Sequence, residues 1–331
     1  MLRPTKSNTL YCLDSLTEIL TRNGWRGIGH IEQGDEVAAF HADSGVVTWE
    51  TVNAYIERAR EADETMYALS SPHFDLRVSD QHRLLWKIPR GEQWLTTTAA
   101  ELARRANGWQ LPAAGLQEAD GVALSDAELQ IVGWFVTDGS LNHANNTLVI
   151  QQSRRWQKHI DAIDESLAQA RLQHRRYVSG PRIANNFIDS YGHVRWVIPK
   201  GSECAMRNWR GWTVLAPWLD KDLAPGLENV TREQLLVLLE AIHLGDGAKQ
   251  AGQTWTRRSY HIVTPNKRFA DRLQSLCVRR GIRCNICEHD ASKYRWNATT
   301  LWYVRARPDM DRWNVGGAGA EDRHPLLPSP G

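Results

Sequence analysis

Cysteine is scarce in this chain: five residues in 331, at positions 12, 204, 277, 284 and 287. So sparse and odd a set argues against a disulfide framework and points to free thiols in a reducing compartment. Cys277 and the run Cys284-Asn-Ile-Cys287-Glu-His289 carry the N and S donors that zinc takes. Cysteines on an apolar helix and in a strand-like run are better explained as small buried hydrophobes. No stretch approaches the roughly 18 apolar residues of a membrane span, and the opening MLRPTKSNTLYC lacks the apolar core of a signal peptide. The expectation is an intracellular protein without a membrane partner. Glycine-rich nucleotide fingerprints are missing too, since Gly24, Gly27 and Gly29 lack the required spacing.

Net charge is also small, at +2, so bulk electrostatics does not select a polyanion. Local imbalance is larger. Residues 250–310 hold twelve Lys or Arg against four acids, and a surface so composed attracts phosphate. A solvated basic face is the plain alternative.

At this length about two domains are expected. Residues 12–115 show turn signals at Asn23-Gly24, Gly34-Asp35 and Asp43-Ser44-Gly45, with strand-like Val46-Val47-Thr48-Trp49 and Met66-Tyr67-Ala68-Leu69 between and beyond them. Thr98 with Glu101 forms a capping box for a brief helix that stops near Asn107-Gly108, and a linker follows around Pro112, Gly115 and Gly121. From Ser125 the pattern changes. Ser125-Asp126-Ala127-Glu128 caps an apolar helix ending at Asp138-Gly139, and Thr231-Arg232-Glu233-Gln234 caps another ending at Asp246-Gly247. Each is followed by a strand-like segment (147–150 and 260–263) and a basic helix-like segment (154–170 and 266–280). The period is 108 residues, the difference between 246 and 138, which implies two related αββα halves.

An acid at a helix C-terminus meets the negative end of the macrodipole and needs compensation. One Asp-Gly is an ordinary helix stop, but two in matched context invite a shared purpose. Gly133 and Ala241 each lie five residues before an acid, so the helices can approach closely and bring both carboxylates together. Carboxylates a few Å apart repel unless an oxygen-seeking divalent cation joins them. Mg²⁺ in that role activates water and stabilises a leaving oxygen.

The segments Ile131-Val-Gly-Trp-Phe-Val-Thr-Asp-Gly-Ser140 and Leu238-Leu-Glu-Ala-Ile-His-Leu-Gly-Asp-Gly247 resemble the paired motifs of the LAGLIDADG, or dodecapeptide (DOD-type), homing endonucleases. The resemblance covers roughly 120–305 and departs from the family at Ala241, where glycine is usual, and at the polar Glu240 and His243. It implies an α+β fold with a pseudo-two-fold core. Asp138 and Asp246 would be the catalytic metal ligands for Mg²⁺ or Mn²⁺, and the partner a long, specific duplex DNA target cut on both strands by one monomeric pseudo-dimer. It also implies a nearby lysine, for which Lys200 in Trp196-Val-Ile-Pro-Lys-Gly201 is the candidate, with Arg305 or Arg307 as its second-half counterpart. Base or phosphate contacts are expected from Gln151, Gln152, Arg154, Arg155, Arg257, Arg258 and Lys293, whose donors suit groove edges and phosphates.

Upstream, Cys12-Leu-Asp-Ser-Leu-Thr-Glu-Ile-Leu-Thr21 and Ser79-Asp-Gln-His82 resemble the first and second blocks of an intein or Hint domain. There the cysteine receives the acyl group of the preceding peptide bond, here Tyr11–Cys12, and the histidine assists; Ser79 stands where threonine is usual. A thiol beside a histidine and a hydroxyl is suited to that transfer. The end of the chain carries no His-Asn junction before a nucleophile, and Asn314 precedes Val315. Self-cleavage at Tyr11–Cys12, a separate C-terminal intein segment, or DNA binding without cleavage are the alternatives. The expected division is a flank at 1–11, a mostly-β Hint-like half at 12–118, repeats at 119–225 and 226–310, and a flexible or truncated tail at 311–331.

Overall fold

The computed structural model describes residues 12–59, 64–70, 75–105, 108–184, 187–201, 209–247, 259–290, 300–315 and 327–329. The chain divides into two compact units, one made of 1–117, 277–287 and 306–331, the other of 118–276 and 288–305.

The first unit is built from short antiparallel strands. β1 (Glu18–Thr21), β2 (Gly24–Gly27), β3 (Glu36–His41) and β4 (Val46–Thr51) form a sheet in the order β2-β1-β3-β4. The β1–β2 hairpin closes at Asn23-Gly24, where Gly24 has φ +101°, a backbone that favours glycine. β5 (Met66–Ser70) pairs with β6 (Asp75–Ser79), and β7 (Arg83–Trp86) with β8 (Leu95–Thr98). Helix α1 (Ala99–Ala103) begins with the expected Thr98–Glu101 capping box but ends four residues before Asn107. β9 (Trp109–Pro112) then receives a late partner from the other end of the sequence. Arg312–Val315, expected within a tail, is a strand whose Trp313 pairs with Leu111, while Gln110 Nε2 donates to Asn314 Oδ1 at 2.5 Å. Leu327–Ser329 pairs in turn with β5. Val78, Leu84, Trp86, Leu102, Trp109, Trp313 and Val315 share one buried core.

Three cations of the basic stretch turn out to be structural in this unit. Arg279, Arg280 and Arg283 are buried. Arg279 donates to Gln117 Oε1 and lies 5.4 Å from the Trp49 ring centre; Arg280 donates to the Gln117 carbonyl, and Arg283 to the Arg312 carbonyl. They satisfy carbonyls and stack on indoles, so the expectation of a uniformly phosphate-attracting surface from 250–310 is corrected to a smaller set.

The second unit opens with α2 (Asp126–Asp138), closed at its N-terminus by reciprocal Ser125–Glu128 bonds. β10 (Gly139–Asn142), β11 (Thr147–Ser153), β12 (Arg175–Val178) and β15 (His193–Pro199) form a sheet ordered β10-β11-β15-β12, with β13 (Arg182–Ala184) and β14 (Phe187–Asp189) as a separate hairpin. α3 (Gln157–Gln169) follows β11 and buries Ile160, Ile163 and Leu167. α4 (Arg232–Asp246) carries the second capping box, Thr231–Gln234. The Gln234 amide also bonds Val122 through its N–H and its carbonyl, tying the chain that leads into α2 to the start of α4. After α4 come β16 (Tyr260–Thr264) and α5 (Lys267–Arg279), then β17 (Arg283–Asp290) and β18 (Thr300–Arg307), with strand order β16-β18-β17. Among the described residues α2 is followed by β10, β11 and α3, and α4 by β16 and α5.

Candidate active site

The site begins where α2 and α4 touch. A β-carbon added at Gly133 would come within 2.6 Å of the Ala241 β-carbon, and one added at Gly245 within 2.1 Å of Thr137 Oγ1. Both contacts join residue i to residue i+108, so the helices run in the same direction and stay in step. That is why their last residues, Asp138 and Asp246, arrive at the same end. The glycine after each acid answers to crowding rather than to a left-handed backbone. Gly139 has φ −97° and Gly247 φ −75°, but added β-carbons would meet Phe135 Cα at 2.5 Å and the His243 carbonyl at 1.9 Å.

Burial pushes the Asp138 carboxyl up to about 6, and repulsion from Asp246 adds to it, while Lys221, Thr137 and Gln152 oppose the rise. Desolvation raises Asp246 to about 6 as well, against the pull of Lys221. Asp246 nevertheless shows more of its surface to solvent than Asp138 does. The two form an interacting pair whose protons leave in steps shared between them.

Lys221 is the cation of this site. Its ammonium group donates to the carbonyls of Phe135 and Val136 at 2.6 and 2.9 Å, and it acts electrostatically on both carboxylates. It thus adds a charged donor to the carbonyls at the end of α2, where Phe135 O also accepts from Gly139 N, and offsets the dipole there. Lys200, the lysine expected from the sequence, is exposed, and its carbonyl accepts from the Thr213 hydroxyl at 2.9 Å. Lys221, between Asp220 and Asp222, follows no strand motif that would have singled it out. The one signal available was a lysine in a short connection leading towards the second capped helix. Arg305 and Arg307 lie on β18.

Gln152 is turned inward. It is buried, and its Nε2 donates to Asp138 Oδ2 at 3.1 Å while its Oε1 accepts from Ser153 N. A base-reading role for Gln152 gives way to orienting the carboxylate. Gln151, Arg154 and Arg155 are exposed. Arg257, Arg258 and Lys293 lie outside the described residues.

In the first unit, Cys12 N donates to Ser79 Oγ at 3.1 Å and Ser79 N to the Cys12 carbonyl at 3.0 Å. His82 N donates to the Ser79 carbonyl at 3.0 Å. Burial holds the His82 imidazole below its usual value, and its Nδ1 is buried without a hydrogen-bond partner among the described residues. Tyr11 lies outside the described residues. Of the zinc-like cysteines, Cys277 and Cys284 are buried and not joined in a disulfide, and no cluster of three or more His, Cys, Asp or Glu suited to a metal occurs among the described residues. No helix among the described residues is long and apolar enough to cross a membrane.

No protein-family profile and no curated protein matches the chain. Among solved structures, mesophilic variants of the homing endonuclease I-DmoI align with TM-score 0.33 and 11% identity over 55% of this chain and 82% of theirs. I-DmoI in complex with DNA and calcium aligns with TM-score 0.35 and 12% identity over 55% and 82%. A variant of I-DmoI with its target DNA and manganese gives TM-score 0.35 and 12% over 55% and 86%.

Proposed function

We propose that this chain is a metal-assisted, site-specific DNA endonuclease of the homing type, hydrolysing one phosphodiester of each strand at Asp138 and Asp246. The observation that carries the proposal is the in-step helix pair, which delivers two repelling carboxylates to one end beside a single ammonium group. Such a pair is costly to ionise and has no use in packing, whereas a cation relieves it.

The donor set fits a hard divalent ion. Mg²⁺ or Mn²⁺ is commonly held by one or two carboxylates together with waters and substrate phosphate oxygens, so two acids suffice. When bound, the ion would supply an activated water and neutralise charge on phosphate. Asp138 and Asp246 would hold it, and Gln152 fixes the orientation of Asp138. Lys221 places positive charge where negative charge develops on the phosphate, the role first expected of Lys200. The exposed Gln151, Arg154 and Arg155 contact the duplex, and one monomer carries both halves of the centre.

The test is cleavage of duplexes drawn from a randomised library in the presence of Mg²⁺. Asp138→Asn is expected to abolish double-strand cutting while leaving duplex binding by fluorescence anisotropy largely intact. Undiminished cleavage by both Asp138→Asn and Asp246→Asn would refute the assignment.

A second reading concerns the first unit. The reciprocal Cys12–Ser79 bonds next to His82 support N-to-S acyl transfer at Tyr11–Cys12 in a partial Hint-like domain. Incubation with a thiol should release residues 1–11 from the wild type and not from Cys12→Ala, as read by intact mass. Equal release from both would exclude it.

A further inference from the structure

A cleft of about 560 Å³ opens beside the site, lined among others by Gln152, Arg155, Trp156, Lys158, His159 and His243. Its floor is continuous with the acids, because Gln152 is the residue that donates to Asp138. Its wall has an unusual construction. The Arg155 guanidinium lies 4.9 Å from the Trp156 ring centre and 5.5 Å from that of Tyr191. Both rings are large and exposed, at 38% and 51%, a costly arrangement if they served only to pack. The Trp156 ring is in addition stacked on His159, with centres 5.6 Å apart and planes 14° apart. The turn bearing Arg155 is pinned by Arg154 N donating to the Gly192 carbonyl and Arg155 N donating to Ser153 Oγ.

A guanidinium resting over aromatic rings spends no N–H on them and keeps its donors for the two oxygens of a phosphate. Several other cations of this unit pair with acids: Arg176 with Asp164, Arg210 with Glu128 and Lys267 with Asp271. Among the described residues no acid pairs with Arg155 or Lys158. Two unneutralised cations at the mouth of a cleft large enough for a sugar with its phosphates form a site for an anion of that size.

We propose that this cleft is a backbone subsite that takes one deoxyribose-phosphate unit of DNA next to the phosphate handled at Asp138. Arg155 is its phosphate clamp, and Trp156 and Tyr191 are positioning residues for Arg155. The assignment of DNA as the physiological ligand rests on the endonuclease reading; the occupancy of the cleft does not.

Two measurements separate these. The first is the salt dependence of binding to a random-sequence duplex in EDTA, by fluorescence anisotropy. Arg155→Ala should weaken binding about tenfold and lower the slope of log K against log salt by about one. Arg155→Lys should restore the slope without the full affinity. Trp156→Leu should weaken binding with the slope retained, and Trp156→Phe should recover the loss, a pattern that loss of charge would not give. The second uses thymidine 3′,5′-bisphosphate and the indole N–H signals of the full chain, with the Trp156 signal assigned from Trp156→Phe. The bisphosphate should move that signal in the wild type and not in Arg155→Ala, with inorganic phosphate as the weaker comparison. A Trp156 signal indifferent to the bisphosphate, or an unchanged slope and affinity in Arg155→Ala, would overturn the proposal. Bisphosphate binding without any metal-dependent cleavage would leave the cleft standing and remove the endonuclease reading instead.

Discussion

Replacing Asp138 by asparagine should make the protein more stable above neutrality, with a gain that shrinks as the pH falls towards 4. The carboxyl goes from 3.8 to about 6 on folding, so between those values the native state binds more protons than the unfolded chain. Stability then falls as pH rises through that window, and the cost is complete above about 6. At 1.36 kcal/mol for each pH unit the full difference is about 3 kcal/mol. Asp138 is partly open to solvent, and a discount for screening brings the expected gain to roughly 1–2 kcal/mol. Asparagine keeps the shape, and its carbonyl can still accept from Gln152. The assay is urea unfolding of wild type and Asp138→Asn in EDTA at pH values near 8 and near 5, followed by tryptophan fluorescence. The variant should exceed the wild type at both, by about half as much at the lower pH. A variant equally stable at both, or less stable near pH 8, would mean that the ionised carboxylate is not under the strain inferred here. Added Mg²⁺ should close the gap by stabilising only the wild type, since a ligand that binds the native state alone shifts the equilibrium towards it.

Removing the ammonium group with Lys221→Met should raise the titration of the acid pair, because Lys221 lowers both; carboxyl ¹³C shifts against pH report this directly, and an unmoved midpoint would contradict it. The same change should reduce cleavage more than duplex binding. Gly133→Val pushes a branched side chain against Ala241, already 2.6 Å from a bare β-carbon. It should destabilise the chain by about 1–3 kcal/mol, measured by chemical denaturation. Ser125→Ala removes the acceptor for Glu128 N and the hydroxyl that donates to Glu128 Oε2, at a cost of about 0.5–2 kcal/mol, and a glycine there should be milder.

Local chemistry made the helices legible. Ser125, Thr98 and Thr231 each stand three residues before Glu or Gln, and all three form reciprocal caps. The apolar runs that follow, and the Gly133 and Ala241 positions within them, predict the close pair that is found. Partners far apart in sequence were not legible. Lys221 reaches the carbonyls of Phe135 and Val136 across some 85 residues, and periodicity, which reveals the strand leading to Lys200, does not reveal the reach of a flexible amine. The pairing of Trp313 with Leu111 was hidden for the same reason: an antiparallel register over 200 residues leaves no local trace. Arg279, Arg280 and Arg283 misled through composition, which counts charge without saying that guanidinium groups can be spent on carbonyls and indole faces.

The Gln234 side chain gives the helix pair a property that neither helix has alone. By closing its own cap and holding both backbone groups of Val122, it makes the two helices start from a common anchor. Thirteen residues at 1.5 Å each place that anchor about 20 Å from the acids. A slip of one residue there would swing a carboxylate by about 100° around its helix. The alignment of the acidic end is thus set by an amide at the opposite end, and a substitution at Gln234 would be felt as a misplaced carboxylate in a molecule that still folds.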